Sequence, residues 1–503
     1  MSIHYPNLYC FLAKCKWKFT KTIKWVRSEQ VEIKIDDACL IINLVCEEQI
    51  EPVLALDCAS VWKSSSDETS FIHEEPIDPK LALHIAPLGD LGDFSSACQL
   101  PTLTMNKTCE QDLVVMLVVS ALRIDPRVER EARALADKEY RVVIICPDLS
   151  HPPLKEHPIN WGENIKFDIL GWQAANFVNV SPWLLGELML EAALAYRPLA
   201  FHCHDLNTAL IGLAASRKIG ARCICDFHEW YSENVSWDDI KKQWTVHPLP
   251  QRKLYQTAEA LVMARADEVI TVCNSIAVEL EAQYPEYQRK IHVIRNIPSL
   301  SASDTEYPSL RQELNIAEEQ LIVLWQGGTG PTRLLEPVIE SLIYTKDAVL
   351  VIRGPSLDMF GKGYLALAKK VGVSKRLHLL PPVKSADVVN AAHGSDLGVW
   401  TLPNLSKNFY FALPNKIFEY LAAGLPLVCA NFPEARAIIE RYEVGAVFDP
   451  YDPRSIAKAL EQFSDPAFYK KCKQNVAPAL VDLKANEEWD KLVHLYNKLR
   501  EKG

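Results

Sequence analysis

The chain has 503 residues, which is too long for one hydrophobic core and indicates two to four domains. Its formal net charge of -10 argues against a general nucleic-acid-binding protein, which would normally be basic. Because it has no long apolar run, no signal-peptide pattern and only scattered cysteines, we expect a cytoplasmic chain with reduced thiols and no spanning helix.

Residues 1–110 are predicted to form a small β-rich region. Basic and apolar side chains alternate over 14–25, as in a half-buried strand, and three further candidate strands follow, at 31–35, 38–46 and 53–61. A stretch rich in Ser, Asp, Pro and Gly ends the region. The basic strand fits a solvated sheet face, but peripheral contact with an anionic membrane and docking of a partner protein both remain open.

Residues 111–298 alternate buried strands with helices, which predicts an open, doubly wound parallel sheet. The predicted strands are 113–119, 141–146, 199–203, 221–226 and 268–273. Amphipathic segments between them, such as 126–138, are predicted helices.

Two polar positions follow the early strands of this sheet. Asp125 precedes Pro126, which opens a helix, so Asp125 is either a helix cap or a contact to a ligand. His204 belongs to the sequence Phe-His-Cys-His-Asp at 201–205, just past a buried strand. A histidine at the carboxyl end of a strand is placed to face a ligand cleft.

The segment 226–233 carries an unusual density of ionisable groups, among them Asp226, His228 and Glu229. Such density at a strand end predicts ligand recognition or support of a cleft wall. His228 and Glu229 lack a second histidine at helical spacing, so no zinc site is expected.

A Ser-rich link at 299–303 leads to a second alternation of strands and helices over 299–485. The predicted strands are 321–325, 348–352, 377–380, 396–400 and 426–430. Two consecutive Rossmann-like sheets form a cleft between their carboxyl ends, where ligands bind in such folds. The last amphipathic stretch, 487–500, is a predicted terminal helix.

The turn after the first strand of the second sheet reads Gln-Gly-Gly-Thr-Gly-Pro-Thr-Arg over 326–333. Glycines such as Gly328 let the backbone approach a ligand, and the guanidinium fork of Arg333 suits phosphate oxygens. No Gly-Lys-Ser/Thr closes the turn, so it is not a Walker A site. A Pro-Pro-Val-Lys turn containing Val383 follows the third strand.

The most informative segment is 413–426, which reads Leu-Pro-Asn-Lys-Ile-Phe-Glu-Tyr-Leu-Ala-Ala-Gly-Leu-Pro. It predicts a helix with Pro414 in its first turn and a left-handed glycine at its end. The amides near Asn415 and the charge of Lys416 suit a phosphate at the helix N-terminus. Glu419, one turn further in, can accept hydrogen bonds from the vicinal hydroxyls of a sugar.

This segment, with the motifs before it in the same order, resembles the donor-binding helix of retaining GT-B glycosyltransferases. These form the large glycogen-synthase-like and bacterial polysaccharide transferase family, of the glycosyltransferase family 4 type. The resemblance covers roughly residues 112–500. It implies an α/β GT-B architecture, in which two Rossmann-like domains face a cleft and a terminal helix at 486–503 crosses back to the first.

The resemblance also implies a reaction. A hexose or related sugar would pass from a nucleotide-diphosphate donor to a hydroxyl acceptor, whether glycan, lipid-linked or small molecule, with retention of anomeric configuration. No cofactor and no metal are expected, because fixed positive groups and helix dipoles would stabilise the departing diphosphate.

The family's roles map onto specific positions of this chain. His204 would contact the donor sugar, Arg333 would grip the diphosphate, and Lys416 would supply the second positive charge. Donor binding would further involve Glu419 on the ribose, Asn415, Gly328, and the backbone near Val383 on the base. The acceptor-side candidates are Asp125, Asp226, His228 and Glu229.

One departure from the family pattern leaves a rival open. Phe411 stands where the first glutamate of the Glu-x7-Glu motif belongs, and the turn at 120–125 lacks the family's glycines. A degenerate GT-B scaffold that binds the donor without transfer is therefore the main alternative. A nucleotide-sugar 2-epimerase is less favoured, because that family keeps several acidic catalytic residues in its first sheet.

Overall fold

The computed structural model describes residues 32–36, 39–46, 49–57, 109–171, 182–238, 240–287, 291–298, 305–483 and 487–501. The strands are β1 Glu32–Asp36, β2 Cys39–Cys46, β3 Gln49–Asp57, β4 Glu110–Leu117, β5 Arg141–Pro147, β6 Ile165–Leu170, β7 Pro198–His204, β8 Arg222–Phe227, β9 Val235–Asp238, β10 Gln243–Val246, β11 Glu268–Thr271, β12 His292–Val293, β13 Leu321–Gln326, β14 Ala348–Arg353, β15 Leu377–Leu380, β16 Leu397–Trp400, β17 Leu427–Ala430 and β18 Gly445–Phe448. The helices are α1 Pro126–Ala136, α2 Pro182–Leu194, α3 Leu206–Ile219, α4 Leu249–Arg265, α5 Asn274–Gln283, α6 Leu310–Glu313, α7 Glu336–Ser341, α8 Leu357–Lys370, α9 Lys407–Tyr410, α10 Asn415–Ala422, α11 Pro433–Tyr442, α12 Pro453–Glu461, α13 Pro466–Asp482 and α14 Asp490–Glu501.

The first large sheet has seven strands in the order β12-β11-β8-β7-β4-β5-β6. Every adjacent pair is parallel. The apolar end of β4, from Leu113 to Leu117, is buried, which explains its unbroken hydrophobic sequence. Helices cover both faces, so the carboxyl ends of the strands form one edge where polar residues can meet.

The second large sheet has six parallel strands in the order β15-β14-β13-β16-β17-β18. The predicted architecture of two Rossmann-like α/β domains is therefore confirmed. Sequence patterns missed β6, β12 and β18, which lie at sheet edges, where short or alternating strands lack the long apolar run of a central strand. They also missed the small hairpin of β9 and β10.

Part of the N-terminal region forms a three-stranded antiparallel sheet, β1-β2-β3. The strands predicted at 31–35 and 38–46 lie within one residue of β1 and β2, whereas the one predicted at 53–61 begins four residues earlier, at Gln49. The predicted strand at 14–25 lies outside the described residues. A membrane or partner role for this region stays a prediction.

The last helix, α14, packs on the first domain although it follows the second in sequence. Leu492, Leu495 and Leu499 lie in the same apolar cluster as residues of β4 and β5. The Tyr496 hydroxyl lies 2.9 Å from Nδ1 of His202 on β7. No helix among the described residues is long and apolar enough to cross a membrane.

Candidate functional site

A cavity of about 520 Å³ lies between the two large domains. The first domain contributes Glu229, Asn234, Val235 and Trp244 to its walls. The second domain contributes Trp325, Thr332, Arg333, Trp400, Leu402, Asn408, Phe409, Ala412, Pro414 and Lys416. Another cavity, of about 400 Å³, lies beside Glu443 and Lys471 on the second domain and contains none of the predicted site residues.

The glycine-rich turn after β13 brings backbone and cation together. Gly327 has a φ of 136°, which L side chains rarely adopt, and a Cβ there would collide with the side chain of Lys416. Its N–H donates to the carbonyl of Arg353 at 2.8 Å. The Gly328 carbonyl accepts from Nε1 of Trp325 at 3.2 Å. The absence of a side chain at Gly327 therefore leaves the space that Lys416 occupies.

Arg333 and Lys416 form a positive wall of the cavity. Nζ of Lys416 lies 5.2 Å from the centroid of the Trp325 ring, a cation–π distance. Burial lowers the pKa of Lys416, Glu419 opposes this, and Arg333 lowers it further. Burial also lowers the pKa of Arg333, against the attraction of Glu229. Neither cation is in an ion pair with any residue the structure describes, so both can meet an anion.

Helix α10 presents its first turn to this cavity. It begins at Asn415, one residue later than predicted, with Pro414 as its N-cap, and Gly424 beyond its end has the predicted left-handed φ of 72°. Burial raises the pKa of Glu419, while Lys416 and then Arg130 lower it. The charges of Lys416 and Arg130 thus favour the ionised form of Glu419, which is half-buried.

Arg130 on α1 was not found by sequence reasoning. Its Nη1 donates to Oδ1 of Asn296 at 2.7 Å and to the carbonyl of Ile297 at 3.2 Å, where the chain leaves the first domain. Burial and Arg127 lower its pKa to about 10, although Glu419 attracts its charge. No motif marks this position, since only the packing of the two domains brings α1 near α10.

A buried charge network lies behind the first-domain wall. The guanidinium of Arg127 forks onto Asp226, with Nε and Nη2 each 2.8 Å from a carboxylate oxygen. Nε2 of His228 lies 3.1 Å from both Oδ2 of Asp226 and Nδ1 of His204. Asp226 is fully buried, so this candidate holds the network together and does not reach the cavity.

The histidines of the network differ in charge. Burial lowers the pKa of His204 well below its ordinary value, so its ring is neutral. For His228, burial is outweighed by Asp205 and Asp226, which raise its pKa to about 9. Burial also raises the pKa of Asp205 to about 6. His204 is 2% exposed, and its Nε2 has no partner among the described residues.

Three of the sequence-derived candidates meet at the cavity: Glu229, Arg333 and Lys416. Asp125 caps α1 by accepting from the N–H of Val128 at 3.4 Å, and it does not line the cavity. Val383 is half-buried in the loop after β15 and is also absent from the cavity wall.

Four buried side chains have ligand atoms within 4.8 Å of one another: Glu131, His202, His204 and Asp226. The guanidinium of Arg127 already lies 2.9 Å from Glu131 and 2.8 Å from Asp226. A fixed cation therefore already contacts both carboxylates, which disfavours a second cation at the same place. The expectation that no metal is needed stays a prediction.

Phe411, at the place of the missing motif glutamate, makes a contact between the domains. Its ring stacks on that of Trp230 with centroids 6.4 Å apart, and its carbonyl accepts from Sγ of Cys273. Next to it, Oδ1 of Asn408 accepts from the N–H of Trp230 at 2.8 Å. Phe411 in place of the motif glutamate thus removes a negative charge and adds an aromatic contact between the domains.

Comparison with known proteins places this geometry in a family. The model described as Glycosyltransferase Family 4 matches residues 127–297, and that described as Glycosyl transferases group 1 matches 307–477. TuaH of Bacillus subtilis (strain 168), a candidate teichuronic acid biosynthesis glycosyltransferase, is 22% identical over 55% of this chain and 73% of its own length. A D-inositol 3-phosphate glycosyltransferase of Mycobacterium sp. (strain JLS) is 24% identical over 51% of this chain, which spans 64% of that relative's length.

Among solved structures, Anabaena HepE in complex with UDP and glucose has a TM-score of 0.56 at 14% identity, covering 77% of this chain and 99% of its own. This likeness shows the fold. The two family models lie one on each large domain and on either side of the cavity. The chain belongs to the glycosyltransferases of the family 4 type.

Proposed function

We propose that this protein transfers a sugar from a nucleotide-diphosphate donor to a hydroxyl acceptor, with retention of anomeric configuration. The observation that carries the proposal is the pair Arg333 and Lys416, two cations without ion-pair partners among the described residues, on one wall of the inter-domain cavity. A diphosphate would neutralise both. As it departs, the charge that develops on it meets donors already in place, which favours the transition state.

The rest of the donor would lie along α10. The amides of its first turn add a partial positive charge beside Lys416. Glu419 is one turn further in, where a carboxylate can accept from both hydroxyls of a ribose. The solved complexes of HepE with UDP and UDP-glucose support a uridine nucleotide as the first donor to test.

The acceptor would approach from the first-domain wall. Glu229 is exposed and lines the cavity opposite Arg333, so it can accept a hydrogen bond from an incoming hydroxyl. In a retaining reaction on one face of the sugar, the departing phosphate would itself take the acceptor proton. His204 would position the donor sugar through its neutral ring, after a small opening of the wall in front of it.

The first test is thermal unfolding of the full chain with UDP, GDP or ADP. A ligand that binds only the native state at 100 times its Kd stabilises it by about 2.7 kcal/mol. We expect one nucleotide to raise the midpoint, and Arg333→Gln and Lys416→Gln to abolish the rise. Lys458→Gln, an exposed lysine on α12, serves as the matched control and should keep it.

Turnover is then measured as nucleotide release from the matching sugar donor, with product configuration read by proton NMR. Binding without release would instead support the degenerate scaffold that Phe411 motivates. An absence of any nucleotide effect would remove the proposal altogether.

A further inference from the structure

We propose that the hairpin of β9 and β10 is a platform for the apolar part of the acceptor, and hence that the acceptor is an amphiphile with a hydroxylated head and an aliphatic chain. This rests on the proposed function, since it names the class of molecule that the acceptor side of the cavity takes.

The hairpin has one apolar and one polar face. Its register pairs Trp244 with Trp237 and Val246 with Val235, so these four side chains share one face. The intervening positions, Ser236, Asp238, Gln243 and Thr245, are all polar and share the other. Such a pattern normally means that the apolar face is covered.

Here that face is only partly covered. Trp237 and Trp244 are 40% and 37% exposed, with their rings edge to face at 5.9 Å, and Val246 is 50% exposed. The two strands pair with no other strand of the described chain. Ile240 at the turn and Leu249 beyond β10 are also exposed and extend the apolar surface. Partly exposed apolar side chains that share one face in this way mark a surface that binds something apolar.

The apolar face is continuous with the cavity. Val235 and Trp244 line the cavity itself, next to Asn234 and Glu229. Nδ2 of Asn234 donates to the carboxylate of Glu229, so polar groups end where the apolar strip begins. A ligand lying along this path would meet hydrogen-bonding groups first and an apolar strip as it leaves the cavity.

The composition of the strip favours an aliphatic chain over a stacked sugar. Besides the two tryptophans, the exposed apolar side chains are those of Val246, Ile240 and Leu249, which offer no hydrogen bonds to hydroxyls. Hydrogen-bonding groups line the cavity at one end of the hairpin, and the exposed lysines of the turn, Lys241 and Lys242, lie at the other end. We therefore place the hydroxylated head at Glu229 and the chain across Trp244 and Trp237.

The test compares dodecyl β-D-maltoside, below its micelle-forming concentration, with maltose, by calorimetric titration into the full chain. We expect the alkyl chain to tighten binding at least about ten-fold. Trp237→Gln and Val246→Thr should remove this gain. Val246→Thr keeps the size and β-branching of the side chain. It therefore still tests the inference if Trp237→Gln fails to fold. Met359→Gln, which removes a 69% exposed apolar side chain on α8, is the matched control.

Several results would overturn the inference. These are equal binding of the two probes, no binding of either, a gain that survives both hairpin variants, or a gain lost equally in the control. Hairpin-dependent sedimentation with phosphatidylglycerol vesicles, without a gain for the monomeric probe, would assign the surface to a membrane instead. The nucleotide shift measured on the same samples shows separately whether the proposed function holds.

Discussion

At the scale of single residues, Gly327 joins the conformation of the backbone to the chemistry of the cavity. Its positive φ is accessible mainly to glycine, and Lys416 occupies the space where a side chain would stand. Gly354 packs just as closely, since a Cβ there would collide with the carbonyl of Gly327. Because these two glycines have no side chains, Lys416 and the ends of β13 and β14 can pack directly against one another.

Replacing Gly327 with alanine should displace Lys416 and strain the turn. We expect nucleotide affinity to fall about ten-fold or more and the free energy of unfolding to fall by about 1–3 kcal/mol. Calorimetric titration and denaturant unfolding measure the two effects. Gly363→Ala is the control, because a Cβ there meets nothing within 4 Å and alanine suits a helix interior. Unchanged affinity in Gly327→Ala would show that Lys416 does not contact the diphosphate.

At the scale of elements, the first domain depends on α14, which arrives from the far end of the chain. It buries three leucines against α1 and the sheet, and Tyr496 supplies the hydrogen-bond partner of Nδ1 on His202. His202 itself is fully buried, 3.1 Å from Glu131. The helix therefore completes a polar network as well as an apolar core.

Tyr496→Phe should destabilise the protein by about 1–3 kcal/mol, because it leaves a buried imidazole nitrogen without its partner. Urea unfolding followed by circular dichroism measures the loss. Tyr451→Phe is the matched control, since its hydroxyl also takes part in a hydrogen bond, which it accepts from the N–H of Asn404, but the side chain is exposed. Equal losses in the two variants would mean that burial of the partner does not matter.

At the scale of the whole molecule, two sets of contacts join the large domains. Beside the cavity, Phe411 and Asn408 meet Trp230, and the N–H of Ser275 donates to Glu434 at 2.7 Å. Where the chain crosses between domains, Arg295 binds Glu488 at 2.6 Å. The cavity therefore depends on contacts that a domain motion could break and remake.

Phe411→Ala should loosen the contact beside the cavity by removing the stack on Trp230. We expect a larger radius of gyration in small-angle scattering and a decreased rate of sugar transfer. Phe468→Ala serves as control, because that ring packs within the second domain against Phe463 at 5.0 Å. It should lower stability without changing the radius. An unchanged radius in Phe411→Ala would show that the remaining contacts suffice to hold the domains.

Local patterns in the sequence determined the two sheets, most of their strands and the positions of Arg333, Lys416 and Glu229 at strand and helix ends. These features depend on periodicity and on residue types at element boundaries, which a single chain displays directly. The left-handed conformation of Gly424 was likewise predicted from its place between the end of a helix and a proline.

Only the tertiary structure decided the rest. Asp226 and His228 looked like cleft residues, but Asp226 is paired with Arg127 on α1, and His228 lies against that same buried carboxylate. Arg130 acts electrostatically on Glu419, and Trp244 lines the cavity beside Arg333, although the residues of each pair are far apart in sequence. No local pattern encodes such encounters, since they arise from how the two domains and the hairpin pack.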